Sequence, residues 1–542
     1  MSGKTALPIL TVALVLAGVA RYFWNTPGIF DLALDDEAVY MGVETDFTQT
    51  ILWPPEFKGI FSSYENGGFY MLTYRVLANF IRDPIDLYML GGLVIILGAV
   101  LFGFLCQSIL SNSLLVGVLA VCPVVLSGEL MTWPRVSFGA IGVLALAFAA
   151  MARVGSFRLK VSVLLCAGYL LTFIRPEFIL SFYVFLALQI ATLLPLPLAR
   201  RRIAGNPHTG GEAAAATLAL TFVASLSVLW SFPIPSGGER AFAAFGAHYA
   251  VRFVAAHGLS LNPWLDWRAV LADQFPGAQT VFQVVTVRPG EAFLYFAANL
   301  RDLIAAIAEI AVSTVERNPA FSALWLLCVS VWIGSAFYPP RRRYDPSPMP
   351  AGRATEGSPF RRARLDIAFI LVFALPPLVA TIAIYPRHHY ILLLLFTASS
   401  ALAVVLRSVR SRVSPLLAVI LAAWFPVTAK PLPVVEQPML ATVRALRAQP
   451  AIHRLFENDG GWCYFLVPRC STDDATWMPD GTAFETYVHD RGIDAIVISE
   501  RLRSYESLHD EGFIRSIDAL TGLENWSRVD LGHGYSLLLA PR

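Results

Sequence analysis

The chain has 542 residues, of which 56% are hydrophobic and only 15% charged, and its mean hydropathy is +0.59. Soluble globular proteins carry about 25% charged and roughly 45–50% apolar residues, so the missing charge points to lipid as solvent and excludes a disordered chain. The net charge of +2, from 41 Lys+Arg against 39 Asp+Glu, supplies no basic field and excludes nucleic acid as the main partner.

About 20 consecutive apolar residues cross the hydrocarbon core. By that rule the sequence predicts eleven spans, near residues 6–24, 87–107, 113–129, 136–152, 161–174, 178–198, 213–232, 320–338, 366–385, 389–406 and 413–429. The first reads as an uncleaved anchor: Gly18-Val19-Ala20 would pass as a cleavage site, but Lys4 is its whole charged leader and many spans follow. The fifth is short and reads as a broken or tilted helix. With Lys4 inside, the cytoplasmic loops carry Arg153, Arg158 and Lys160, then Arg200, Arg201 and Arg202, then Arg341, Arg342, Arg343, Arg353, Arg361, Arg362 and Arg364, then Arg407, Arg410 and Arg412. Only the loop after the second span is uncharged, so the positive-inside pattern is self-consistent and an odd span count puts the C-terminus outside.

The polar residues gather on the predicted outer side. In LALDDEAVYM (32–41), Asp35, Asp36 and Glu37 stand side by side soon after the first span. Adjacent carboxylates raise one another's pKa values. Such a cluster suits a base poised to take a proton, a metal or a cationic substrate, or is a solvated loop whose Asp caps the next helix. The turn SGELMTWPRVSF (127–138) offers Glu129, Trp133 and Arg135, or is an aromatic-belt turn at the headgroups. In LLTFIRPEFILSF (170–182), Arg175 and Glu177 flank Pro176 between two apolar runs, where charges are expensive and usually functional unless they snorkel or pair.

The loop 233–319, with Trp264, Trp267, Phe275, Phe282 and Phe293, reads as short amphipathic helices on the bilayer interface. Within it His248, Tyr249, Arg252 and Asp273 are acceptor contacts that no spacing singles out. RRRYDPSPMPAGRATEGSPFRRAR (341–364) is a basic cytoplasmic linker rich in Pro, Gly and Ser. In IAIYPRHHYILLL (382–394), Arg387, His388, His389 and Tyr390 interrupt two spans. A guanidinium fork beside imidazoles suits a phosphate or pyrophosphate; the plainer reading is an interfacial anchor.

From about residue 430 the chain turns polar. GIDAIVIS (492–499) and GYSLLLA (534–540) read as strands, and ERLRSYESLHDEGFIRSIDALTG (500–522) as helix with a stop at Gly522, which together predict a small α/β domain outside the membrane. Cys106, Cys122, Cys166 and Cys328 lie in apolar runs as small hydrophobes. Cys463 and Cys470 could pair if their region is extracytoplasmic, or stay reduced if it is not. No CxxC or HExxH spacing occurs.

Many spans, an acidic pair early in the first outer loop, amphipathic helices after it and an outer C-terminal domain together resemble the GT-C membrane glycosyltransferases. The look is that of the bacterial protein-mannosyltransferase and aminoarabinose-transferase type. DDEAVYM resembles the family's acidic loop motif, and RPE and PRHHY resemble turns of its bacterial members. Two registers fit the acidic pair, Asp35-Asp36 and Asp36-Glu37.

The resemblance implies a GT-C-like transmembrane domain over residues 1–430 with outer loops 25–86 and 233–319, and a periplasmic α/β domain over 431–542. It implies a multi-pass protein of the bacterial inner membrane with a cytoplasmic N-terminus. The implied reaction moves a sugar, with inversion, from a polyprenyl-phosphate-linked donor to an extracytoplasmic glycan, lipid or protein. Asp36 would be the general base, oriented by Asp35 and Glu37. Arg387, His388, His389 and Arg175 would meet the donor phosphate, and Glu177, Tyr390, Glu129 and Arg135 would line the substrate cavity. No cofactor is required, though Asp35 and Asp36 could hold Mg²⁺ or Mn²⁺. Two rivals stand beside this. A transporter or flippase of a lipid-linked or anionic substrate would carry charges near the midplane. A non-catalytic envelope-assembly protein would be indifferent to the loss of Asp36.

Overall fold

The computed structural model of the chain describes residues 3–22, 32, 73–74, 76–128, 135–193, 210–229, 232–234, 239–261, 263–264, 266–337, 359–407, 414–429, 437–449, 452–458, 461–466, 470–473, 482, 484–499, 502 and 525–541. The described parts of residues 1–24 and 94–432 form one compact unit, and those of residues 71–93 and 433–542 another.

The first unit is helical. Its apolar helices are α1 (Gly3–Tyr22), α2 (Pro84–Ser111, whose opening turns belong to the second unit), α3 (Leu114–Ser127), α4 (Val136–Arg153) and α5 (Phe157–Thr172). A 3₁₀ turn, Pro176–Phe178, leads into α6 (Ile179–Leu193), followed by α7 (Gly210–Leu229). The stretch between the seventh and eighth predicted spans holds α8 (Glu239–His257), α9 (Trp267–Gln274), α10 (Val281–Val287) and α11 (Pro289–Arg317). The set closes with α12 (Pro319–Phe337), α13 (Pro359–Ala383), α14 (His388–Leu406) and α15 (Ser414–Thr428).

Helices stand over all eleven predicted spans, but their lengths differ. At 1.5 Å per residue, roughly 20 residues are needed for a hydrocarbon core of about 30 Å. Among the described residues six helices are long and apolar enough: Pro84–Ser111, Val136–Arg153, Pro176–Leu193, Gly211–Val228, Arg362–Ala383 and His388–Leu406. Leu7–Tyr22, Leu114–Ser127, Pro319–Gly334 and Ser414–Thr428 are apolar but shorter. The fifth expected span is the 16-residue α5, unbroken rather than broken. Length and composition thus support six crossings, and eleven stays an expectation from sequence.

Close packing and satisfied carbonyls hold the helices together. At Gly117 of α3 an added Cβ would lie 2.9 Å from the backbone oxygen of Phe104 in α2, so only glycine allows that approach. A proline inside a helix frees the carbonyl four residues earlier, and lipid offers no water to satisfy it. Pro123 of α3 frees the Leu119 carbonyl, and the Trp325 indole N–H of α12 donates to it at 3.0 Å. Pro376 of α13 frees the Val372 carbonyl, and the Ser181 hydroxyl of α6 donates to it at 2.9 Å. Near the starts of α5 and α13 the buried Lys160 and Asp366 neutralise each other in an ion pair.

Loop 233–319 is helical, as its amphipathic pattern predicts, but α11 runs 29 residues rather than forming a short element. Its aromatic core joins Phe245, Tyr249, Phe275 and Tyr295, with ring centroids 5.0–6.1 Å apart.

The second unit is built on a mixed five-stranded sheet: β1 (Arg454–Phe456), β2 (Ser471–Asp473), β3 (Ala495–Ile498), β4 (Ser527–Gly532) and β5 (Tyr535–Leu539), in the order β2-β1-β3-β5-β4. β1 pairs in parallel with β2 and β3, and β5 pairs antiparallel with β3 and β4. β3 is buried at every position, as its continuous apolar run requires of a central strand. His533 and Gly534 both take positive φ (52° and 84°), which makes β4–β5 a two-residue hairpin. Helices α16 (Pro438–Arg447), α17 (Trp462–Phe465) and α18 (Phe484–Arg491) accompany the sheet. The two strand-like runs in the sequence are β3 and β5; most of the helix expected up to Gly522 lies outside the described residues. Cys463 and Cys470 are disulfide-bonded.

Candidate functional site

Short connections force several helix ends to the same place. α4 and α5 are joined across residues 154–156, α5 and α6 across the 3₁₀ turn, and α13 and α14 across residues 384–387. The start of α4, the Arg175–Phe178 turn and the Ile384–Arg387 turn therefore share one end of the unit.

Arg175 ties the three together. It is buried, and its Nε and Nη2 donate to Ser137 Oγ of α4 at 3.2 and 2.7 Å. Its Cζ stands 4.9 Å from the centre of the Tyr390 ring of α14. Glu177 Oε1 lies 3.8 Å from Arg175 Nε, a loose ion pair. Arg135, two residues before Ser137, is only 1% exposed. Both guanidiniums are held out of bulk water, where electrostatic attraction to an anion is strongest.

The third guanidinium is held from the α8–α11 layer. Arg387 donates through Nε and Nη2 to Nε2 of His248 on α8, at 3.1 and 2.7 Å. The imidazole is 8% exposed, stacked on Tyr385 (4.6 Å between centroids, 7° between planes) and edge-on to Trp264 at 5.3 Å. Burial, and then the charge of Arg387, push its pKa down to about 4. His248 is therefore neutral at physiological pH, with its proton on Nδ1 and Nε2 free to accept.

The turn itself is anchored by α11. Tyr295 Oη donates to the Ile384 carbonyl, and Asn299 Nδ2 donates to the carbonyls of Ile382 and Ile384 at 2.9 and 3.2 Å. These are the orphan acceptors expected past a helix C-terminus. Burial pushes the Tyr295 phenol up to about 12, so it stays a neutral donor.

Of the residues singled out in the sequence, Arg175, Glu177 and Tyr390 come together, and Arg135 sits beside their Ser137 anchor. Arg387 pairs with His248. His388 is exposed, while His389 is buried with its ring 4.4 Å from that of Tyr390. Asp35, Asp36, Glu37 and Glu129 lie outside the described residues. Ser137, Tyr385, Tyr295 and Asn299 escaped the sequence reading; an isolated Ser, Tyr or Asn in an apolar run gives no signal of what it will face. Among the described residues no group of three or more His, Cys, Asp or Glu could hold a metal ion.

No family model matches the chain, and no curated protein matches it. Among solved structures the chain is similar to the crystal structure of ArnT from Cupriavidus metallidurans in the apo state, with 13% identity over 100% of both chains and a TM-score of 0.38. A superposition that loose assigns no role to any residue of this chain.

Proposed function

We propose that the chain is a membrane glycosyltransferase that moves a sugar, with inversion, from a polyprenyl-phosphate-linked donor to an acceptor on the outer face of a bacterial inner membrane. What supports this reading is that the turns bearing Arg135, Arg175 and Arg387 lie toward one end of an apolar helical unit, with Arg175 joined to Ser137 and Tyr390 and Arg387 to His248. Cations so placed suit the phosphate of a lipid whose tail stays among the spans. The Lys/Arg-rich loops fall at the opposite helix ends, which supports an outer position for the turns. The Cys463–Cys470 disulfide supports an oxidising compartment for residues 431–542.

In this reading the acceptor loses its proton to Asp36, with Asp35 and Glu37 orienting it, and the new glycosidic bond forms as the bond to the phosphate breaks. The electron pair leaves on the phosphate oxygen, where Arg387 and Arg175 stabilise the charge. Asp35 and Asp36 are also where Mg²⁺ or Mn²⁺ would bind if the reaction uses either.

The test is release of polyprenyl phosphate by the full chain in proteoliposomes supplied with a panel of polyprenyl-phosphate sugars. The wild type releases it with one of them. Asp36→Asn loses roughly 10²–10⁴-fold in rate, as for a general base, and Arg387→Gln roughly 10²–10³-fold, as for one preorganised electrostatic partner. Movement of the intact lipid across the bilayer without cleavage would sink the proposal in favour of a flippase. No turnover at all, with both variants supporting envelope assembly in cells, would leave a structural role.

A further inference from the structure

Two large aromatic rings beside Arg387 keep much of their surface open: Trp264 is 55% exposed and Tyr385 37%. Neither ring stands alone. Both touch the buried imidazole of His248, Tyr385 stacked on its face with 4.6 Å between centroids and 7° between planes, Trp264 edge-on at 5.3 Å. These contacts hold the rings in place before any ligand arrives, so covering them costs little ordering entropy.

The same imidazole ties the rings to a cation. Its Nε2 accepts from Nε and Nη2 of Arg387 at 3.1 and 2.7 Å, so His248 carries the guanidinium at its edge and Tyr385 on its face. A sugar whose phosphate sits on Arg387 is joined to that phosphate through a single oxygen, and its ring lies within reach of both aromatic side chains. Sugars present two kinds of surface, a rim of hydroxyls and faces of C–H groups. Water serves the rim well, whereas a face gains by lying on an aromatic ring, because apolar surface on both leaves water. A few placed polar groups beside aromatic walls are the usual make-up of a small-ligand site.

We propose that Trp264 and Tyr385 form the platform on which the donor's sugar ring lies while Arg387 holds its phosphate. The inference rests on the lipid-phosphate-sugar reading above and adds to it the residues that tell a sugar-bearing lipid from the bare lipid phosphate. It favours sugars with an uninterrupted C–H face and disfavours those with an axial hydroxyl on that face. An aromatic anchor among lipid headgroups would be equally exposed, but it has no means of distinguishing the two lipids.

The test measures equilibrium binding of bare polyprenyl phosphate, and of each polyprenyl-phosphate sugar in the panel, to the full chain in nanodiscs without acceptor. Wild type is expected to bind at least one sugar lipid about tenfold more tightly than the bare phosphate, the worth of covering one sugar face. Trp264→Leu should cut that preference to about threefold or less while binding the bare phosphate as wild type does, which also shows that the variant is folded. Trp264→Phe keeps a ring and should keep most of the preference. Tyr385→Leu should lower it too, with some loss on the bare phosphate because His248 loses its stack. Arg387→Gln should weaken every lipid alike; if it leaves the bare phosphate untouched, the phosphate reading fails and the inference falls with it. If Arg387→Gln weakens all the lipids but Trp264→Leu spares the sugar preference, or weakens bare and sugar-bearing lipids equally, the platform is overturned and the phosphate reading stands. Absence of any sugar preference in wild type would overturn the platform as well.

Discussion

Replacing His248 with phenylalanine isolates how Arg387 is held. The new ring keeps the stack on Tyr385 and the edge contact with Trp264 and loses the two ring nitrogens, among them the Nε2 that accepts from Arg387. Two donations from the guanidinium, at 3.1 and 2.7 Å, vanish with it. Hydrogen bonds involving a charged group net about 1.5–3 kcal/mol, and because Arg387 is half-buried and can recruit water, the lower end, about 1.5 kcal/mol, is expected. His248→Gln restores an acceptor and should recover much of that.

A second signature comes from protons. The folded imidazole titrates near 4 against an ordinary value of 6.5, so between those values the unfolded chain binds more protons than the folded one. The contribution is complete above pH 6.5 and is lost progressively as pH falls toward 4. Asp83 and Asp473 act in a lower window, because their carboxyls are held below the usual 3.8. Reversible unfolding in mixed micelles, at neutral pH and at about pH 4.5, should show the wild type losing stability on acidification and His248→Phe losing markedly less. An unchanged acid slope in the variant, or no cost at neutral pH, would refute the assignment.

Ser181→Ala should cost about 1 kcal/mol in the wild type by stranding the Val372 carbonyl, and much less in a Pro376→Ala background, where the restored N–H can reach that carbonyl; a double-mutant cycle in the same micelles measures the difference. Trp325→Phe should be similarly coupled to Pro123→Ala through the Leu119 carbonyl, and additive losses would refute the pairing. In the second unit Asp473 is fully buried; burial alone would raise its carboxyl, but hydrogen bonds from Arg454 and Arg491 outweigh it and hold the pKa low. Asp473→Asn should lower the unfolding midpoint of the full chain at neutral pH and flatten its decline below about pH 4, both readable by circular dichroism.

What the sequence made legible follows from which signals are one-dimensional. An apolar run, and a charge that interrupts it, can be counted along the chain, so each expected span has its helix and the turns bearing Arg175 and Arg387 stood out. β3 and β5 were visible for the same reason, β3 as an unbroken apolar run and β5 by its three leucines. β1 and β2 are only three residues each, too short to show a pattern; β1 pairs on the edge that β3 offers, and β2 pairs in turn on β1.

The site's internal partners are long-range. Ser137 lies 38 residues from Arg175, and His248 lies 139 from Arg387. His388 and His389 were the natural choice beside Arg387 because adjacency is all a sequence displays. A helix rotates successive residues by about 100°, so neighbours in sequence point in different directions. Arg387 stands at the N-cap of α14, where the backbone is still extended. Its side chain turns away from the helix that His388 and His389 begin, toward a ring supplied by α8. The pairing thus depends on where α11 pins the end of α13 through Tyr295 and Asn299, a constraint written in three segments of chain that are adjacent only once folded.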